Sequence, residues 1–317
     1  MIGDNSRIVL VSGGGGFIGS NLVRRLLKLG YKVNLIWKKS TDPWRILSVK
    51  NQLIFHDVNL LDKSSLNNLF KIVNPIAIFH LSTYSNYRDS SRVKEMVETN
   101  VYETLNLLLS SLETDYKIFV NSGSSSEYGI NNKPMKESDL IFPSSFYAAT
   151  KAISSLLCQS FAVQYKKPIV TLRLFSVYGP FEQKDRFIPT IINSILNQNT
   201  IRITPGLIKR DFIFVEDVLD AYIKCVKNSN KLRGEILNIG TGKEYSNDDL
   251  VQNLFNIANK KVKVEKGEFP ERSWDNNHWF ADISKAKKIL NWNPKFSINQ
   301  GLSETYRWFI QNQKMYS

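Results

Sequence analysis

Tyr147 and Lys151, in Tyr147-Ala-Ala-Thr-Lys151, are the residues of this chain whose types and spacing most directly suggest chemistry. Four residues apart, they share one face of a helix, about one turn from each other. A phenol with an ordinary pKa of ~10 is a poor proton carrier at neutral pH. A neighbouring ammonium favours the phenolate and brings tyrosine into range as a general acid or base. Such a pair also arises by chance on helix surfaces, so its weight depends on the elements that position it.

The N-terminal region supplies the first of these. Arg7-Ile-Val-Leu-Val-Ser12 reads as a short buried strand. It runs into Gly13-Gly14-Gly15-Gly16-Phe17-Ile18-Gly19, followed by a helical stretch that ends at Leu29-Gly30. The glycines satisfy Gly-x-Gly-x-x-Gly at 14, 16 and 19, and Gly-x-x-Gly-x-x-Gly at 13, 16 and 19. Glycine permits a tight turn and close approach of backbone to a pyrophosphate, and the helix N-terminus offers N–H groups to the anion. A flexible linker is the other reading of a glycine run, but the strand before it and the helix after it favour the phosphate turn.

Strands are predicted at residues 32–37, 53–55, 77–81, 117–120 and 169–173, with helices at 65–72, 93–112 and 148–165. This alternation predicts an α/β fold, a doubly wound parallel sheet of Rossmann type with ligands at the carboxyl ends of its strands. From about Phe175 the elements shorten, punctuated by Gly179-Pro180, Pro189, Pro205-Gly206, Gly267 and Pro270. The division expected is 1–175 for dinucleotide binding and catalysis. Residues 176–317 are then a smaller, partly interleaved α/β region for substrate, from which residues 236–239 could return to the main sheet.

The chain of 317 residues is long enough for a sizeable core. It has no apolar stretch long enough to span a bilayer, and its start lacks the regions of a signal peptide, so a cytoplasmic enzyme is expected. Cys158 and Cys225 sit in apolar helical surroundings and read as buried thiols. His56, His80 and His278 are scattered, and no metal site is expected. Forty-two basic against twenty-nine acidic residues give a net charge of +13. Nucleic acid is one partner that such a charge attracts. The lysines are dispersed and no recognition motif accompanies them, so a basic surface around a site for phosphorylated small molecules is preferred.

Taken in order, these motifs resemble the extended short-chain dehydrogenase/reductases, in particular the epimerase/dehydratase group that works on nucleotide sugars. The resemblance rests on the glycine turn, Asp57, Phe79-His-Leu-Ser82, Asn100-Val101, Ser124 with Tyr128-Gly129, Tyr147 with Lys151, and Arg173 through Gly179-Pro180. It continues through Arg210-Asp-Phe-Ile-Phe-Val-Glu-Asp217, Asn238-Ile-Gly240 and Trp292-Asn-Pro294. It implies that Tyr147 exchanges a proton with a sugar oxygen, that Ser124 orients that oxygen, and that Lys151 holds the nicotinamide ribose and depresses the Tyr147 pKa. Along the cofactor it places Gly13, Gly16, Phe17, Ile18, Gly19, Val58, Leu81 and Ser82, with Asp57 at the adenine. Asn100 is implied to support the helix backbone near the site. Tyr84, Ser125, Ser176, Arg210 and Arg272 are substrate candidates. Asn86, Tyr87 and an aromatic group of Trp274, His278 and Trp279 lie near them in sequence. A nucleotide-diphosphate sugar and a homodimer follow as expectations.

Two departures narrow the reaction. The dehydratases of this group carry Asp and Glu after the Ser124 position, where this chain has Ser125 and Ser126, too weakly acidic to remove water. Glu127 comes one position late and, on strand alternation, points elsewhere. At the end of the second strand, NAD-binding members carry an acid for the ribose 2′-hydroxyl. Here Trp37-Lys38-Lys39 stands in its place, and two lysines suit the 2′-phosphate of NADP, with NAD still possible. The expectation is an NADP-dependent 4-keto reductase or 4-dehydrogenase of nucleotide sugars, with an NAD-dependent 4-epimerase as the alternative. A non-catalytic dinucleotide sensor or RNA-binding scaffold is the reading from another class.

Overall fold

β1 (Ile8–Ser12) sends Val9 and Val11 into one hydrophobic core and Leu10 into another, because successive strand side chains alternate between faces. A strand covered on both sides has no polar face, which is why its sequence is an unbroken apolar run. The computed structural model describes residues 7–84, 92–204, 208–267 and 277–316. After β1 come α1 (Phe17–Lys28), β2 (Lys32–Trp37), β3 (Ile54–Asp57), α2 (Lys63–Val73) and β4 (Ala77–His80). The predicted helix 93–112 is interrupted: α3 (Val93–Val97) passes through a π turn, Glu98–Tyr102, into α4 (Glu103–Ser111). β5 (Ile118–Ser124) runs further than predicted, so Ser124 ends the strand instead of following it. α5 (Phe146–Gln164) starts earlier than predicted and includes Tyr147, and β6 (Ile169–Leu174) follows.

The main sheet has seven parallel strands in the order β11-β6-β5-β4-β1-β2-β3, where β11 (Glu235–Ile239) brings the C-terminal half back to the sheet, one of the options open to residues 236–239. The order reverses between β1 and β4, so a crevice opens at their carboxyl ends, where ligands bind in sheets of this type. One face carries Leu22, Leu26, Val33 and Leu35, and the other Leu66, Phe70, Leu107 and Phe119.

The smaller region is built from short pairs. β7 (Ser176–Tyr178) runs parallel to β10 (Phe212–Phe214), β8 (Ile201–Ile203) parallel to β13 (Val264–Lys266), and β9 (Lys209–Arg210) antiparallel to β12 (Tyr245–Ser246). Around them lie α6 (Phe187–Asn197), α7 (Val215–Lys227), α8 (Asn247–Ala258), α9 (Ser284–Leu290) and α10 (Ile298–Gln311). Asp217 on α7 fastens the C-terminal segment: its carboxylate accepts from the Lys295 and Phe296 N–H groups, and its carbonyl from Trp292 Nε1. Among the described residues no helix is long and apolar enough to cross a membrane, and no group of three or more His, Cys, Asp or Glu could hold a metal. Cys158 and Cys225 are free and buried, as the sequence predicts.

Candidate active site

The Ser145 hydroxyl caps α5 by accepting from the Ala148 N–H at 3.1 Å, which fixes where the helix begins and places Tyr147 in its first turn. Lys151 follows one turn later on the same helix. Ala148, Ala152, Ser154 and Ser155 are buried, and their small side chains let this helix approach the sheet closely. Ser124 arrives at the end of β5 and caps the single 3₁₀ turn Ser125–Tyr128, its Oγ accepting from the Ser126 N–H at 3.2 Å. The Ser124 and Thr83 hydroxyls and the Arg186 guanidinium all favour the ionised form of the Tyr147 phenol. Burial acts the other way and prevails, so the phenol titrates above its ordinary value. The groups favouring the phenolate here are Ser124, Arg186 and Thr83.

Lys151 is 4% exposed and has neither a hydrogen bond nor an ion pair among the described residues. Burial lowers its pKa, and Glu127 partly offsets this. A buried ammonium that no described residue hydrogen-bonds fits a ligand hydroxyl. The glycine turn passes a parallel test for a dinucleotide. Gly13 has φ +74°, and a Cβ there would meet the Leu81 carbonyl carbon and Ser82 nitrogen at 2.5 Å. A Cβ on Gly19 would lie 2.1 Å from the Gly13 oxygen. Gly16 caps α1 without a side chain, and the first turn, from Phe17 and Ile18 onward, carries no acid, so its N–H groups suit an anion. Leu81 donates its N–H to the Ser12 carbonyl at 3.0 Å, Ser82 follows it, and Val58 lies just beyond β3.

Lys38 and Lys39 both have carboxylate partners. Lys38 Nζ lies 2.6 Å from Glu103 Oε1, and Lys39 Nζ lies 2.9 Å from Asp57 Oδ2 on the surface. Asp57, expected at the adenine, is thus engaged with Lys39. Glu103 is buried and also accepts from Ser82 Oγ at 3.1 Å.

Glu127 is directed to Arg173 and Ser155, and not through strand alternation. It lies in the 3₁₀ turn, fully buried, accepting from the Ser124 N–H at 2.8 Å, Ser155 Oγ at 2.9 Å and Arg173 Nε at 2.8 Å. Asn100 has the supporting place expected of it. Its side chain accepts from Thr83 Oγ1 and the Tyr84 N–H, and donates to the Tyr84 carbonyl and Thr150 Oγ1, tying the segment after β4 to α5.

On the substrate side, Trp279 Nε1 donates to Ser125 Oγ at 2.9 Å, and the Arg210 guanidinium lies 5.2 Å from the Trp279 ring centroid. Ser176 starts β7, its N–H bonded to the Asp211 carbonyl next to Arg210. Ser125, Ser176 and Arg210 are therefore brought into one neighbourhood. Arg272, Trp274, Asn86 and Tyr87 lie outside the described residues. Thr83, Glu103, Arg186 and Asp211 escaped the sequence reading. Asp211 is fully buried and accepts from the Thr241, Gly242 and Ala281 N–H groups, fixing the turn beside Arg210. Only its place in the Arg210-Asp-Phe motif could have signalled this.

The arrangement can hold a dinucleotide at the glycine turn and exchange a proton at Tyr147. A family model described as the NAD dependent epimerase/dehydratase family matches residues 9–240. The chain is 32% identical to a UDP-glucuronate 4-epimerase of Thermodesulfobacterium geofontis, over 96% of each chain. Its structure is similar to a UDP-glucuronic acid 4-epimerase of Bacillus cereus in complex with UDP-glucuronic acid and NAD, at 27% identity and TM-score 0.85, covering 96% of this chain and 99% of that one. It is also similar to a UDP-N-acetylglucosamine 4-epimerase of Methanobrevibacter ruminantium, at 29% identity and TM-score 0.88, covering 96% and 98%.

Proposed function

This chain belongs to the NAD dependent epimerase/dehydratase family, and from that premise we propose that it is an NAD-dependent nucleotide-sugar 4-epimerase. The observation that carries this reading is what surrounds Tyr147. The Ser124 and Thr83 hydroxyls favour the ionised phenol, Lys151 lies one turn away without a hydrogen bond among the described residues, and serines occupy the positions where dehydration needs an acid and a base. When bound, the nicotinamide would take a hydride from the sugar carbon and return it.

Tyr147 holds and moves the proton at the sugar O4: as the phenolate it takes the proton while the carbon is oxidised, and as the phenol it gives it back after the sugar has turned its other face. Ser124 orients that oxygen, and Lys151 binds the nicotinamide ribose hydroxyls. Gly13, Gly16 and Gly19 admit the pyrophosphate to the start of α1. Residues 176–317 mainly bind the nucleotide, with Arg210 and Ser176 toward its phosphates and sugar. Relatives that bind or act on UDP-sugars make a UDP-sugar the first substrate to try. The buried, reduced cysteines agree with a cytoplasmic setting.

NADP is the less favoured cofactor, because Lys38 and Lys39 are already paired with carboxylates. The second reading, an NADP-dependent 4-keto reductase, rests on the same two lysines being available to a 2′-phosphate. Incubation with UDP-glucuronic acid, UDP-glucose and UDP-N-acetylglucosamine, followed by separation of C4 epimers, tests the choice. Interconversion without net change at 340 nm is expected, and Tyr147→Phe should slow it by about 10²–10⁴-fold. Stoichiometric NADPH consumption by 4-keto sugars without interconversion would establish the reductase instead. An intact biological activity in Tyr147→Phe would point to a binding-only protein.

A further inference from the structure

Lys38 follows β2 and Ser82 follows β4, and these two strands flank β1 in the sheet. Glu103, on α4 directly after the π turn and 1% exposed, takes both: Lys38 Nζ at 2.6 Å on one oxygen and Ser82 Oγ at 3.1 Å on the other. The cluster therefore joins the strand ends on either side of the glycine turn, at the point where the strand order reverses and a dinucleotide lies across the sheet. No acid stands at the end of β2. Trp37 occupies that position, with ring atoms 3.0 Å from where a Cβ on Gly15 would be, so the indole covers the turn.

We propose that Glu103, supplied from α4, is the residue that selects NAD over NADP. By engaging Lys38 it withdraws the cation that a 2′-phosphate needs, and it adds a buried negative charge beside the place that phosphate would occupy. A phosphate that captured Lys38 would leave the Glu103 carboxylate buried without its counter-ion, a costly arrangement. An uncharged ribose 2′-hydroxyl imposes no such exchange. This rests on the NAD-dependent reading above and identifies the residues that would enforce it.

The test is calorimetric titration of NAD and NADP, at pH 8 and without sugar, into protein freed of endogenous dinucleotide. The wild type is expected to bind NAD at least tenfold more tightly than NADP. Glu103→Gln should reduce that preference at least tenfold, chiefly by strengthening NADP, because Lys38 is released. Lys38→Met leaves the carboxylate uncompensated and should weaken NADP a further tenfold while NAD changes little. If Glu103→Gln does not fold, Lys38→Met carries the test alone. A wild type that prefers NADP, or a Lys38→Met protein whose NAD-to-NADP ratio stays within twofold of wild type, overturns the proposal. Because no sugar is present, the two readings fail separately. A Lys38→Met ratio within twofold of wild type sinks this inference alone, and a wild type that prefers NADP sinks the NAD-dependent reading with it. A failure to epimerise leaves this inference untouched.

Discussion

At the Tyr147 phenol, burial outweighs three groups that favour its ionised form, so in the protein alone it stays protonated at neutral pH. At His80 burial acts on the opposite charge type, and a neighbouring charge reinforces it. It is enclosed between Ser12 Oγ at 2.6 Å and Thr104 Oγ1 at 2.9 Å, and burial, with Lys151 nearby, drives its pKa down to about 3. The imidazole is therefore neutral when folded, whereas the unfolded chain protonates it near the ordinary ~6.5. Its contribution to stability is fully present above pH ~6.5 and is lost progressively as pH falls toward about 3. Urea denaturation of the wild type should show stability falling by a few kcal/mol across that window, and His80→Gln should flatten the fall. Equal slopes in the two proteins would show that His80 is not the cause. Tyr147 and Lys151 could be picked out from sequence because proton exchange needs those types at that spacing, and Ser124 through the family resemblance. Thr83, Glu103 and Arg186 could not, because they reach their partners from remote segments and leave no local pattern.

The elements place these residues through a few close approaches of backbone. α1 can dock on the glycine turn only because Gly19 lacks a side chain: its Cβ would be 2.1 Å from a backbone oxygen that cannot swing away. Gly19→Ala should therefore lower the melting temperature and abolish dinucleotide binding together, measured by calorimetry. Tight binding in a stable variant would contradict the close packing. The turn after β5 depends instead on a buried ion pair, in which Glu127 and Arg173 are both almost fully enclosed. Arg173→Met would leave the Glu127 carboxylate buried and unpaired, at a cost of ~3–5 kcal/mol in urea denaturation. A loss under ~1 kcal/mol would mean that Ser155 and the Ser124 N–H suffice to hold it. Strand positions were legible because period and composition mark them. The π turn was not, since residues 93–112 read as one uninterrupted helical pattern, and within the widened turn Asn100 bonds to the remote Thr83, Tyr84 and Thr150.

For the molecule as a whole, the doubly wound sheet followed from the alternation of strands and helices, and the return of β11 to its edge was only one option in the sequence. An exposed apolar stripe remains. Ile153, Leu156 and Val163 lie on the solvent side of α5, spaced so that they share a face, and Tyr102 is exposed immediately before α4, which packs beside α5. The opposite side of α5 is spent on the sheet, through Ala152, Ser155 and Cys158. Contiguous apolar surface of this kind favours burial against a partner, and a second copy offers the same stripe across a two-fold axis. The predicted state is a homodimer joined through α4 and α5. Light scattering of the purified protein should give twice the chain mass of 36.4 kDa. Leu156→Glu places a charge in the centre of the stripe, where dimerisation would have to desolvate it, and should yield monomer without loss of secondary structure. A wild-type mass of one chain, or a Leu156→Glu mass unchanged from a dimeric wild type, would rule out this face as the interface.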